Sequence, residues 1–375
     1  MSLEVQGRWP ARFEPLRAAF AASFERGEEL GARFAVAIDG EVVVDMMAGF
    51  ADRDRTQPFG PDTLTPVFST TKAMAALMVA RLIDSHDLDY DQPLAELWPE
   101  FAAAGKAAIS IGGALSHQGG LCGLPEPMPA SAWFDKPLIA ARLAAMAPLW
   151  PPGSASGYHP VTFGYLAEEV FRRLDGRTIG AALAEDLAGP FGLDLWIGLP
   201  DSEHGRCAQM RKPPAMPDLG PASEPRRLAF RTPWASPGGV SQAEWRRAAI
   251  ASVTGHATAP ALARMMAVLA CDGTLDGRRF LSSRAVAAVS AERVRGPDLV
   301  LPFTLSWAAG LLRNTDAGIY GPSPRALGHS GWGGSCAFAD PGRRLSGAYV
   351  MNRQSSALIG DPRAVRLIRA AYACL

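Results

Sequence analysis

The chain has 375 residues, 48% hydrophobic and 20% charged, with 37 basic side chains matched by 37 acidic ones. That balance leaves no global field to gather nucleic acid or an anionic membrane surface, and no run approaches the ~20 apolar residues of a membrane span. The length allows two domains, or one large domain carrying an insertion.

Residues 11–30 alternate apolar and charged at helical spacing, with Phe13, Leu16, Phe20 and Phe24 on one side. Met1–Pro15 carries charges and is followed by no apolar core of signal-peptide length. Cys122, Cys207, Cys271, Cys336 and Cys374 are odd in number, widely spaced and free of C-x-x-C. They read as buried thiols in a reducing compartment, so a cytoplasmic location is expected. Ala32–Ile38 and Glu41–Met46 flank Asp39-Gly40, a hairpin signal. Polar residues 51–66 then lead to the run from Phe68 to Ile83.

That run is apolar except for Ser69, Thr70, Thr71, Lys72 and Arg81, and it holds no Gly or Pro. A helix apolar on nearly every side belongs in a core. Ser69 and Lys72 share a face of its first turn, three residues apart. Burial and the positive helix end both push Lys72 towards its neutral amine, which can take a proton from a serine hydroxyl. First-turn N–H groups can steady the oxyanion that results.

Further helices are expected at 91–104, 109–116, 136–147, 161–175, 178–188, 241–254, 258–272, 282–291 and 361–373. Residues 201–240 hold seven prolines and read as an irregular wall beside the site, with Trp234 a lining residue. A second hairpin is expected from 333–339 and 345–351 around Asp340-Pro341-Gly342. Strands near both ends with helices between predict an α+β fold whose sheet is assembled from the two chain ends. The α/β domain would comprise 1–80 and 241–375, and a mainly helical domain 81–240.

Other chemistries fit the residues less well. No G-x-S-x-G occurs; the nearest sequence is Gly239-Val240-Ser241-Gln242-Ala243, with Asp298 or Asp316 and His329 in the right order for a triad. No strand precedes Ser241, and Ser241-Gln242-Ala243-Glu244 reads as a capping box. The six histidines lack metal-ligand spacing, and no nucleotide-binding fingerprint appears, so neither metal nor cofactor is expected. Tyr158, in the loop Trp150–Pro160, can present its hydroxyl beside Lys72. The glycines of Gly328-His329-Ser330-Gly331-Trp332-Gly333-Gly334 allow close backbone approach to a ligand.

Ser69-Thr70-Thr71-Lys72, Tyr158 and His329-Ser330-Gly331 occur in the order found in the serine β-lactamase and penicillin-binding-protein superfamily. With Leu115–Leu121, Tyr158-His159-Pro160 and Trp332-Gly333-Gly334, the chain most resembles family VIII carboxylesterases, esterase relatives of class C β-lactamases, from about residue 30 to 352. The resemblance implies a β-lactamase/transpeptidase-like fold, an antiparallel sheet flanked by helices with an inserted all-helical domain. It further implies Ser69 as nucleophile, Lys72 as base, Tyr158 as proton shuttle, and the Ser69 and Trp332 N–H groups as oxyanion hole. His329, Gly331 and Trp332 would meet a small-molecule ester, and His117 would be structural.

Two departures bear on substrate. Pro160 occupies the position of an asparagine that β-lactamases carry two residues after the tyrosine, and His329 replaces the lysine of their third motif. Both weaken recognition of an anionic β-lactam or D-Ala-D-Ala end. The expected activity is therefore hydrolysis of short-chain carboxylic esters through an acyl-enzyme, with weak β-lactam turnover. The alternatives are a β-lactamase or D-Ala-D-Ala carboxypeptidase, and a catalytically silent binding protein on the same scaffold.

Overall fold

The computed structural model describes residues 4–230 and 242–375. Among these, nine strands form one sheet in the order Gln6–Arg8, Glu41–Gly49, Gly31–Ile38, Leu345–Met351, Cys336–Asp340, Leu327–Ser330, Leu312–Arg313, Thr304–Trp307, Val294–Pro297, every neighbouring pair antiparallel. The join between the two chain ends is Gly31–Ile38 beside Leu345–Met351, with Ala35 opposite Ala348.

The period-two alternation of that strand divides the core. Ala35 and Ala37 face a layer holding the helices Thr71–Ser85 and Ala259–Ala270. Phe34 and Val36 face the terminal helices Glu14–Glu25 and Pro362–Ala373, through Phe20, Leu367 and Ile368. Alanines on the first face let the Ala259–Ala270 helix lie close, and Ser346 donates to the Ala263 carbonyl at 2.7 Å. The expected hairpins and the helices at 136–147, 161–175, 258–272, 282–291 and 361–373 are present within a few residues of their predicted ends.

Several elements differ from expectation. The 91–104 helix breaks into Leu94–Leu97 and the 3₁₀ stretch Pro99–Gly105, because Trp98 turns extended and Ala103 and Ala104 leave helical angles. The 178–188 helix contains a π segment at Leu183–Ala188. The 241–254 helix covers only Gln242–Arg247, and Gly255–Ala257 instead forms the middle strand of a small sheet with Thr65–Pro66 and Leu195–Ile197. Gly255 is required there: a Cβ would lie 2.4 Å from Thr71 Oγ1, the atom its own N–H donates to at 2.9 Å. Trp234 and Ser241 lie outside the described residues. Among the described residues no helix is long and apolar enough to cross a membrane.

Candidate active site

Thr71–Ser85 is buried along most of its length and packs against the strand Leu327–Ser330 and the helix Thr162–Asp175. A single 3₁₀ turn, Phe68–Thr70, feeds it, so Ser69 sits just before the α-helix and Lys72 just inside it. Phe68 adopts φ +46°, a left-handed conformation uncommon outside glycine, held between the rings of Trp245 and Trp332.

Lys72 is fully buried, and its Nζ donates to Ser69 Oγ at 3.2 Å, the Pro160 carbonyl at 2.6 Å and the Ser252 carbonyl at 3.2 Å. It also lies 4.8 Å from the centroid of the Tyr158 ring. These partners satisfy the amine without any carboxylate, and burial holds its pKa well below the ordinary lysine value. Tyr158 is buried too. Its phenol is pushed upward by desolvation, against a hydrogen bond with Ser69 and with Asp298 adding to the rise. One environment thus favours a free amine and a protonated phenol, both against the same hydroxyl.

The Tyr158 ring lies parallel to the Trp307 indole, 5.7 Å between centroids, and His117 meets both edge-on. His117 accepts from the His159 N–H at 3.2 Å, a packing role in keeping with its structural reading. His329 is also buried, with Nδ1 2.9 Å from the Ser330 carbonyl; burial first, then Lys72, brings its pKa down to about 3. It is uncharged at neutral pH.

Gly331-Trp332-Gly333-Gly334 forms a turn closed by Gly334 N–H to Gly331 O at 3.1 Å, and Gly333 at φ +86° supplies the third-position angle of a type II turn. Because a trans peptide points its C=O and N–H to opposite edges, this contact aims the Trp332 N–H away from the turn. Neither that N–H nor the Ser69 N–H meets an acceptor among the described residues. Ser335 ties the turn to the segment bearing Ser69, donating to Val67 O at 2.8 Å with Thr70 Oγ1 3.2 Å away.

A cavity of about 190 Å³ opens onto Ser69. Trp332 and Tyr158 are on its wall with Phe68, Val161, Leu301 and Leu358, and none of its described lining residues is charged. His329 and Gly331 are not on that wall: His329 lies beside Tyr158 and Trp307, and Gly331 abuts the Val67 carbonyl. The structure therefore brings Ser69, Lys72, Tyr158 and Trp332 together. It adds the Pro160 and Ser252 carbonyls and Ser335, which sequence reasoning missed, and Asp298, which the sequence offered only as a possible triad acid. Main-chain oxygens carry no side-chain signal, and a lone aspartate in Pro297-Asp298-Leu299-Val300-Leu301 looks like any loop acid.

Residues 16–370 match the family described as Beta-lactamase. Esterase/beta-lactamase LipL of Mycobacterium tuberculosis is 35% identical over 369 residues, 95% of this chain and 84% of that protein. The crystal structure of a penicillin-binding protein homolog from Caulobacter crescentus superposes with a TM-score of 0.97 at 61% identity, over 99% of this chain and 100% of that one. A family VIII carboxylesterase structure superposes with a TM-score of 0.91 at 42% identity, over 99% of this chain and 100% of that one. The resemblance and the fold expected from the motifs are borne out, and with the family match running over most of its length the chain belongs to the β-lactamase family of serine hydrolases.

Proposed function

We propose that the protein is a carboxylesterase that hydrolyses short-chain, uncharged esters through an acyl-enzyme on Ser69. The observation that carries this reading is the cavity at Ser69, whose described lining is apolar and without charge. An ester's acyl group gains by entering it, whereas a β-lactam carboxylate would lose water and find no cation. His329 does not supply one, since its imidazole is buried and neutral. The esterase names of similar proteins support the same reading, and five unpaired cysteines are consistent with a cytoplasmic setting.

In this mechanism Ser69 Oγ attacks the ester carbonyl and passes its proton to the Lys72/Tyr158 pair. The oxyanion lies between the Ser69 and Trp332 N–H groups. Tyr158, kept protonated by burial, gives a proton to the departing alkoxide. Water deprotonated by the same pair then attacks the acyl carbonyl, and the pair returns that proton to Ser69 Oγ as the acid leaves. Because the amine is uncharged at the outset it can accept the serine proton, and the Pro160 and Ser252 carbonyls stand ready to take the N–H bonds of the ammonium that forms.

Gly331→Ala tests the oxyanion geometry. The new Cβ would lie 2.2 Å from both the Val67 carbonyl oxygen and Ser335 Oγ, so the turn bearing Trp332 must shift. Turnover is expected to fall about 10²-fold or more, in line with loss of an oxyanion donor. A destabilisation of about 1–3 kcal/mol should accompany it in denaturant melts.

Side-by-side kcat/KM values on p-nitrophenyl butyrate and a chromogenic cephalosporin test the substrate class. An uncompensated buried carboxylate costs several kcal/mol, so the ester should be favoured by about 10²-fold or more. Preference for the cephalosporin would favour the β-lactamase reading instead.

A further inference from the structure

One buried carboxyl group lies against Tyr158 with no part in the proton transfers. Asp298 is 6% exposed, and among the described residues no Lys, Arg or His forms an ion pair with it. Its carboxylate is satisfied by neutral donors alone. Oδ1 accepts the N–H groups of Tyr158, Val300 and Leu301, each at 2.9 Å. Oδ2 accepts Ser156 Oγ at 3.0 Å and Trp307 Nε1 at 3.4 Å.

These five donors come from three separate segments that all bear on the proton shuttle. Tyr158 receives its backbone anchor from Oδ1. Trp307, the flat surface on which the phenol ring lies, is held by Oδ2 of the same group. Leu301, on the cavity wall, is held by Oδ1. Burying a carboxylate with no cation is costly, and a loop of this kind can be closed by neutral groups at less expense. The arrangement gains something specific in exchange. Backbone and ring of Tyr158 are both referred to one rigid point, and a displacement of about 1 Å at a reacting group can cost ~10²-fold in rate.

We infer that Asp298 is a positioning residue for Tyr158, fixing its main chain and the indole beneath its ring so that the phenol meets Ser69 in the geometry for proton transfer. The inference rests on the proposed role of Tyr158. It does not make Asp298 a member of a serine–histidine–aspartate triad with Ser241, the order in which the sequence offers it, because every donor it accepts from belongs to the tyrosine's surroundings.

The test is a double-mutant cycle on p-nitrophenyl butyrate with Asp298→Asn, Tyr158→Phe and the pair combined. Asparagine keeps the size but turns an NH₂ group towards donors. Asp298→Asn should lower kcat ~10–100-fold with KM changed less than ~3-fold, and should cost less than ~3-fold more once Tyr158 is already Phe. An unchanged kcat, or an equal loss in both backgrounds, overturns the inference and leaves the tyrosine's role intact. Full activity in Tyr158→Phe alone overturns both. Should Asp298→Asn fail to fold, Ser156→Ala removes one donor to the carboxylate without touching Tyr158. It should lower kcat several-fold only where Tyr158 is present, and the same loss in Tyr158→Phe contradicts the inference.

Discussion

Ser69→Ala is expected to lower ester turnover by at least about 10⁴-fold while leaving the fold in place. The Oγ atom is the only nucleophile at the floor of the apolar cavity among its described lining residues, and no neighbouring hydroxyl other than the Tyr158 phenol faces the same space. The loss should be almost wholly in kcat, because the apolar wall that binds the acyl group is untouched. Stability should change by less than about 1 kcal/mol, since Ser69 is half-buried and Lys72 keeps the Pro160 and Ser252 carbonyls as acceptors. A thermal melt beside the kinetic assay checks both halves. Retained turnover in a folded protein would remove Ser69 from the mechanism.

Lys72→Met should be nearly as damaging, with turnover down at least about 10³-fold, because it removes the base and keeps the bulk. Its stability cost is bounded by the two carbonyls left without a donor, about 1–3 kcal/mol each. The pH dependence carries the sharper signature. Lys72 loses its proton far below the ordinary lysine value when folded. Between that depressed value and about 10.4 the unfolded chain therefore holds a proton that the folded chain lacks. Stability accordingly rises with pH across that window, and acidification through it favours unfolding. Urea melts at a series of pH values should show this slope in the native protein and lose it in Lys72→Met. Activity follows the same direction, rising with pH as the amine is freed.

The contact between Ser69 and Lys72 was legible because it is local. Ser69 and Lys72 are three residues apart, so any helix beginning there must bring them together, and an apolar run long enough to be buried fixes the state of the amine. The turns at Asp39-Gly40 and Asp340-Pro341-Gly342 were legible for the same reason, each being written in a few adjacent residues. What failed depends on distant partners. Val294–Pro297, Thr304–Trp307 and Leu312–Arg313 are only two to four residues long, the first of them holding Gly296 and Pro297, and they become strands through pairing with their neighbours in the sheet. The same holds at the site. Pro160 was read for the side-chain amide it lacks, yet its carbonyl takes the shortest of the hydrogen bonds made by Lys72. Asp298 is 140 residues from the tyrosine whose N–H it accepts. Ser335 reaches Val67 across 268 residues. No spacing rule links such pairs before the sheet is assembled.

The central claim is that a buried, uncharged Lys72 makes Ser69 nucleophilic. It is tested most directly by the rate at which a small organophosphate labels the protein as pH is varied, with the modified residue identified by peptide mass. One label per chain on Ser69 is predicted, its rate rising with pH through a single titration well below 10.5, and that titration should be absent in Lys72→Met. Absence of labelling would favour a silent binding protein, and a rate that rises only near the value of a free lysine would contradict the account.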